Sequence, residues 1–404
     1  MDDRQTTELA AWVTEAGLSG ESETAMLSGF CAGAVAGGIA LARATVIVDT
    51  LHPIHEGRVF RWQRGDAPTT ILEYGRTTEG AAADSWHRSP FYRLIETGES
   101  VLRRRITDKS ATEFPVLRDM QTAGLTDYLA IINRFAADGV IGEMDCIYSG
   151  WSSEEREGFT EAEIAALQRL VLFLALAVKS ASLGRIAETL VETYLGRDAG
   201  RRVLKGRIAR GVAERIDAVL WFSDLRGYTK ITDTTAPEQI IPLLNDYADA
   251  VISAIHEEGG EVLKLIGDGT LAIFQAGNRD HTCRCALAAA ASARKRIVAL
   301  NQTRVAQSLP ITQLYLGLHV GEVFYGNVGS KDRLDFTVVG PAVNEASRIA
   351  AMCRSVDQDM LLSSAFAAAA GSDRKRLISV GRYALRGVGR PQELFTLEPD
   401  PISG

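Results

Sequence analysis

The stretch EVLKLIGDGTLAIF, Glu261 to Phe274, limits the fold of this chain more than any other. Two apolar runs around Gly-Asp-Gly are a strong signal for a tight β-hairpin, because glycine supplies the positive φ that such a turn demands. That hairpin carries a carboxylate, Asp268, at its tip. Upstream, IDAVLWFSDL is apolar enough for a buried strand and ends on a second carboxylate, Asp224, just before the loop LRGYT. Between the two, PEQIIPLLNDYADAVISAIHEEGG reads as an amphipathic helix opening on Pro237 and closing on Gly259 and Gly260. TQLYLGLHVGEVFYG and DFTVVG add strands, and PAVNEASRIAAMC a helix. From Ile216 onward the order is strand, helix, strand pair, helix, strand, strand, helix, strand, the alternation of a ferredoxin-like α+β core.

The preceding half has another texture. Residues 1–24 are expected to form a helical segment, and 25–180 a second α+β domain of sensory layout. Its strands are ATVIVDTL, GRVFRWQRG, DYLAIINRF and GEMDCIYSGW, with a helix at SPFYRLIETGES. A long helical pattern starts after SSEEREGFT and runs through ASLGRIAETLVETYLG, and such a helix suits a dimer-forming connector. Residues 181–214 take in the end of that helix and the basic, glycine-punctuated GRDAGRRVLKGRIARG, which reads as a turn-rich junction. The last domain is set at 215–400.

With 404 residues, 46% hydrophobic and 24% charged, the chain has enough apolar material for two ordinary cores. A net charge of −7 weighs against nucleic acid or an anionic membrane as the main partner. The apolar stretch Leu170 to Val178 falls short of the roughly 20 residues of a membrane span, and MDDRQTTELA lacks the pattern of an export signal. A cytoplasmic protein without a membrane span is the expectation. Cys31, Cys146, Cys283, Cys285 and Cys353 are too scattered for a disulfide framework.

Carboxylates at a strand end and at a Gly-flanked tip suit a hard divalent cation, since backbone and phosphate can approach there closely. Each also has an ordinary reading: turn chemistry for Asp268, a cap for Asp224. Asn344 and Arg348, four apart on one helix face, can reach one ligand together, the arginine fork toward phosphate oxygens and the amide toward a sugar. Taken alone, such a pair is commonly a solvated face.

Together, FSDLRGYT, LKLIGDGTLAIF, LHVGEVFYGNVG and DFTVVGPAVNEASRI resemble the class III nucleotide cyclases, in the family's order and across Asp217 to Pro399. The resemblance implies conversion of ATP into cyclic AMP and pyrophosphate. Asp224, Asp268 and the backbone carbonyl of Leu225 would hold two divalent metal ions, Mg²⁺ or Mn²⁺. Asn344 would orient the ribose, and Arg348 would stabilise charge on the α-phosphate. Lys264 and Thr337 match the base-reading positions: a lysine donor and a threonine acceptor complement adenine N1 and N6. Read alone, Lys264 is a solvent-facing strand lysine and Thr337 an ordinary strand residue. The threonine resembles the subclass that contains bicarbonate-responsive cyclases. Arg386, or else Arg390, would reach the terminal phosphates. The family shares its sites across a dimer interface, which implies a homodimer here. The N-terminal region resembles a GAF-type sensor with an unknown ligand. A guanylate or relaxed cyclase, and a silent nucleotide-sensing module, are the competing readings.

Overall fold

The computed structural model describes residues 1–66, 70–135, 141–142, 144–275 and 277–398. The chain divides into two compact units, Met1–Leu190 and Val191–Gly404. Glu143 of the expected strand GEMDCIYSGW, and residues 399–400 of the expected last domain, lie outside the described residues.

The first unit opens with α1 (Asp3–Leu18) and α2 (Glu23–Ala36), capped by the side chains of Asp2 and Ser22. There follow β1 (Arg43–Asp49), β2 (Gly57–Gln63), β3 (Thr70–Tyr74), α3 (Gly80–His87), α4 (Pro90–Thr97) and β4 (Val101–Arg105). Then come α5 (Asp108–Glu113), α6 (Pro115–Thr122), β5 (Asp127–Arg134), β6 (Cys146–Ser153) and the long α7 (Glu161–Leu195). The six strands form one sheet in the order β3-β2-β1-β6-β5-β4, every neighbouring pair antiparallel. Val46 and Val48 turn one face of this sheet to a core with Leu9 and Val13 of α1, Phe30 of α2 and Leu170 and Leu174 of α7. The opening helix is thus part of this core rather than a separate segment.

Taken over its whole length, α7 is apolar enough to cross a membrane by length and composition, which the shorter stretch weighed in the sequence did not reveal. Leu167, Leu170, Leu174 and Val178 spend that apolarity on the core, whereas Leu172, Phe173 and Leu176 stay exposed. Over β1, β2 and β3 the opposite face of the sheet borders a cavity of about 1120 Å³, walled by α3, α4 and α6.

The second unit begins inside the segment expected to be turn-rich, which instead holds a helix, α8 (Arg197–Leu204). Gly196, at φ 85°, ends α7 there, and a Cβ on it would lie 2.5 Å from the Val262 carbonyl oxygen. Asp198 pairs with Arg202 at 2.7 Å one turn on, and Ala199 packs with Leu271 and Tyr325. The sequence signal of two glycines concealed this turn of helix because Gly200 is itself buried within it.

Next in order are β7 (Ala213–Leu225), α9 (Tyr228–Thr234), α10 (Pro237–Glu257), β8 (Glu261–Ile266), β9 (Gly269–Phe274) and α11 (Arg279–Ala306). β10 (Leu314–Gly329), β11 (Leu334–Val339), α12 (Pro341–Met352), β12 (Met360–Ser363), α13 (Ser364–Ala369), β13 (Leu377–Tyr383) and β14 (Gln392–Leu397) complete the unit. The sheet runs β13-β14-β12-β10-β7-β9-β8, with β11 paired to β10.

Strand β10 organises this unit because its two faces do different work. Leu314, Leu316, Leu318 and Val320 join Val219 and Trp221 of β7 in the core beneath α10 and α11. The intervening Gly317 and Gly321 face α12, and a Cβ on Gly317 would sit 2.5 Å from the Ala350 nitrogen and 2.6 Å from the Ala346 oxygen. Glycine is required here for close approach of helix backbone to strand, not for a turn. Gly317→Ala is expected to lower stability by about 1–3 kcal/mol through overpacking against backbone that cannot yield, measured by urea unfolding.

Candidate active site

Three groups of side chains stand out in the second unit. The first lies where β7 ends beside the β8–β9 hairpin. Ile266 pairs with Gly269, so Gly267 and Asp268 alone form the loop, with Gly267 at φ 63° as a two-residue hairpin requires. Ser223 pairs with Thr270 on the adjoining strand, which sets Asp224 beside that tip. The Leu225 N–H donates to Asp268 Oδ2 at 3.1 Å, tying the two strand ends together. A Cβ on Gly269 would meet the Ser223 carbonyl oxygen at 2.8 Å and Asp224 Oδ1 at 3.6 Å, so only a glycine lets the hairpin come this near.

Asp224 therefore keeps solvent access at its tip while backbone crowds its carboxyl. Burial first, then a hydrogen bond and charge repulsion from Asp268, push it up from 3.8 to about 6. Neither aspartate has an ion-pair partner among the described residues. Two carboxylates and a backbone carbonyl fit a hard cation that takes its other ligands from phosphate and water; no third His, Cys, Asp or Glu joins them among the described residues.

The second group is on β8 and β11. A β-bulge at Leu263 interrupts the β8 register, and the Lys264 ammonium reaches Asp335 at 2.5 Å. Asp335 and Thr337 occupy one face of β11, while Phe336 and Val338 face the core. Thr337 is only 7% exposed, and its hydroxyl is buried without a hydrogen-bond partner among the described residues. A buried orphan hydroxyl costs stability unless something satisfies it. Sequence reasoning missed Asp335, although its spacing of two from Thr337 on a strand was signal enough to place both on one face.

The third group is on α12. Ala342, Ala346 and Ile349 bury one side of that helix, leaving Asn344 exposed and Arg348 half-buried on the other. The Arg348 guanidinium rests over Gly387, where a Cβ would lie 3.2 Å from Nη2. Gly387, at φ 74°, forms a turn with Arg386 immediately before it, so the structure brings Arg386 near Arg348. Asn344, Arg348, Arg386 and Arg390 make no hydrogen bond or ion pair to any described residue. Glu345 stands beside them, pushed up by burial and drawn back by Arg348. His319, 6% exposed and driven down to about 4 by burial, is neutral and shares a hydrogen bond of 2.9 Å between its Nδ1 and Ser363 Oγ.

Among the described residues, no hydrogen bond or ion pair joins these three groups. Asp224, Leu225 and Asp268 are together; Lys264 and Thr337 are linked through the strand that carries Asp335; and Arg348 adjoins the Arg386 turn. Residues 212–398 match the family described as the adenylate and guanylate cyclase catalytic domain. They form a class III cyclase catalytic domain. An adenylate cyclase of Anabaena cylindrica is 37% identical over 157 residues, 38% of this chain and 30% of that protein. Adenylate cyclase 1 of Rhizobium meliloti (strain 1021) is 30% identical over 181 residues, 43% of this chain and 27% of that protein. The chain thus spans under a third of the length of both relatives. A crystal structure of the adenylyl cyclase CyaB from P. aeruginosa matches at 23% identity and TM-score 0.43, over 47% of this chain and 97% of that one.

The crowded pair gives the cyclase domain a pH signature. A carboxyl raised in the folded state stabilises the fold below its ordinary value and loses that contribution as pH rises through about 6. Without divalent cations, thermal stability is therefore expected to fall between about pH 4 and about pH 7 by an amount that Asp224→Asn removes. Mn²⁺ should raise the midpoint more at the upper pH, where both carboxylates are charged; equal shifts at both pH values would count against a metal on this pair.

Proposed function

We propose that the second unit is an adenylate cyclase, converting ATP into 3′,5′-cyclic AMP and pyrophosphate. The observation that carries the choice of ATP is the Lys264 and Thr337 pair. An ammonium donor complements the adenine N1 acceptor, and an unpartnered hydroxyl is free to accept from the N6 amino group. Guanine presents the opposite polarity at both positions. The adenylate cyclases among the relatives favour the same nucleotide, and a guanylate or relaxed cyclase is the second reading.

Asp224 and Asp268, with the Leu225 carbonyl, would hold two divalent cations. Those ions would supply activation of the ribose 3′ oxygen and neutralisation of the phosphates. The ribose 3′ hydroxyl gives its proton to solvent water, its oxygen bonds to the α-phosphorus, and the bond from that phosphorus to the bridging oxygen breaks so that this oxygen leaves with pyrophosphate. Asn344 holds the ribose so that the 3′ oxygen stands in line. Arg348 meets the charge that grows on the α-phosphate, where a preorganised donor is worth most. Arg386 binds the terminal phosphates, and Asp335 fixes the ammonium of Lys264 while leaving two of its three donors for the base. Thr337 also fits the bicarbonate-responsive subclass; turnover unchanged by bicarbonate at fixed pH would remove that assignment.

The separation of the three groups supports a homodimer whose sites are completed across the interface, as closed two-fold symmetry permits. Leu172, Phe173 and Leu176 on α7 offer an exposed apolar strip for the same pairing. The first unit would then regulate turnover, with no bearing on base choice.

Incubation with ATP or GTP and Mg²⁺ or Mn²⁺ should yield cyclic AMP in preference to cyclic GMP, with Asp224→Ala reducing turnover by at least about a hundredfold. Equal cyclisation of both nucleotides would establish the relaxed reading, and metal-dependent binding without product the silent one. Mixing Asp268→Ala with Arg348→Ala chains should recover activity that neither has alone, provided subunits exchange.

A further inference from the structure

The cavity of the first unit has a floor whose chemistry can be read row by row. β1, β2 and β3 are antiparallel neighbours, so residues in register share a face. Thr45, Arg61 and Thr70 form one row; Ile47, Val59 and Leu72 the next; Asp49, Gly57 and Tyr74 a third. All but Gly57 line the cavity.

Two ends of this floor are already occupied. Tyr74 lies over Gly57, where a Cβ would fall 2.1 Å from its hydroxyl oxygen, and donates to Asp49 at 2.6 Å. At the other end Arg43 is pinned to Gln63 at 2.8 Å. Glu56 is likewise taken by the N–H and hydroxyl of Thr77. The middle is different. Arg61 makes no hydrogen bond, ion pair or ring contact to any described residue, and neither hydroxyl beside it has a partner there. A guanidinium flanked by two threonine hydroxyls is a donor set for an oxyanion, and its planar fork matches a carboxylate.

The adjoining row is wholly apolar, and same-face residues along a strand repeat about every 7 Å. Across the cavity the wall is aromatic and apolar: Trp86 on α3, Phe91 and Ile95 on α4, Val116 and Met120 on α6. Trp86 and Phe91 are braced against Tyr148, at centroid distances of 5.3 Å and 5.5 Å. Arg88 also lines the cavity, with its Nε donating to the Asp84 carbonyl at 3.3 Å, and Asp66, Glu73, Asp119 and Asp145 line it too, so an anion gains there by direct contact with a guanidinium rather than from a general positive field.

We propose that this cavity binds a small organic acid: a carboxylate seated on Thr45, Arg61 and Thr70, with an aryl or alkyl body against Ile47, Val59, Leu72 and the aromatic wall. The volume suits a ligand of drug-like size or smaller. This assignment is independent of the reaction of the second unit.

The test uses the full chain and three probes, 3-phenylpropionate, indole-3-acetate and octanoate, each beside its uncharged amide. Binding is read by calorimetry and by tryptophan fluorescence, for which Trp86 is the reporter. At least one acid should bind saturably, tenfold or more tighter than its amide. Arg61→Gln should remove that preference, Thr45→Val should weaken it about threefold, and Arg43→Gln should leave it within twofold. Unchanged thermal midpoints show that the variants fold. Acid and amide binding equally, Arg61→Gln binding like the parent, or no saturable binding of any probe at millimolar concentration would each overturn the proposal.

Discussion

The arrangement of the second unit depends on bringing two like charges together without a protein cation between them. Asp224 and Asp268 come from strands that pair through β9, and the Leu225 N–H closes the gap to the hairpin tip. No described residue forms an ion pair with either aspartate, so stability and chemistry pull in opposite directions there, as at many functional sites. The rise of the Asp224 carboxyl records that conflict. A cation would resolve it, and on the proposed reading nucleotide phosphates would then have a reason to dock at the same place.

Holding such a pair requires a stiff frame, and β10 supplies it. One face of that strand fills the core under α10 and α11, while its glycines admit α12 to within backbone contact. The same strand pairs with β7, which ends on Asp224, and with β11, which carries Asp335 and Thr337. Asp224, the strand that carries Asp335 and Thr337, and the helix that carries Asn344 and Arg348 therefore all refer their positions to one strand. Glycine at 317 and 321 is a packing requirement, and its cost in strand propensity is accepted for the sake of the helix it admits.

What the sequence made legible follows from how local each determinant is. The hairpin, its two-residue loop and the α10 and α12 helices rest on near-neighbour periodicity and turn chemistry, and all are found. The Lys264–Asp335 pair was not legible as a contact, because it joins residues 71 apart in sequence through sheet topology. Helix α8 was hidden for the opposite reason: local glycines argued against it, and burial of Ala199 and Gly200 overruled them. The resemblance supplied the proposed roles of Asp224, Asp268, Asn344 and Arg348; geometry adds that none of the four has an ion-pair partner among the described residues.

That last point bears on why the proposed catalytic groups are left without ion-pair partners among the described residues. Among the described residues, Asn344, Arg348 and Arg386 touch no carboxylate by hydrogen bond or ion pair, and the Thr337 hydroxyl has no partner. A folded chain ordinarily satisfies such groups, since each orphan costs free energy that folding must recover elsewhere. Leaving donors free in one place and carboxylates free in another, on a single chain, is economical only if each set is completed by something outside that chain. A nucleotide alone would satisfy the donors; on the proposed reading, a nucleotide with its metal ions, held between two copies, would satisfy both sets at once. In the first unit, Arg61 and its flanking threonines have no partner among the described residues, which fits a single anionic group rather than a phosphate chain with cations.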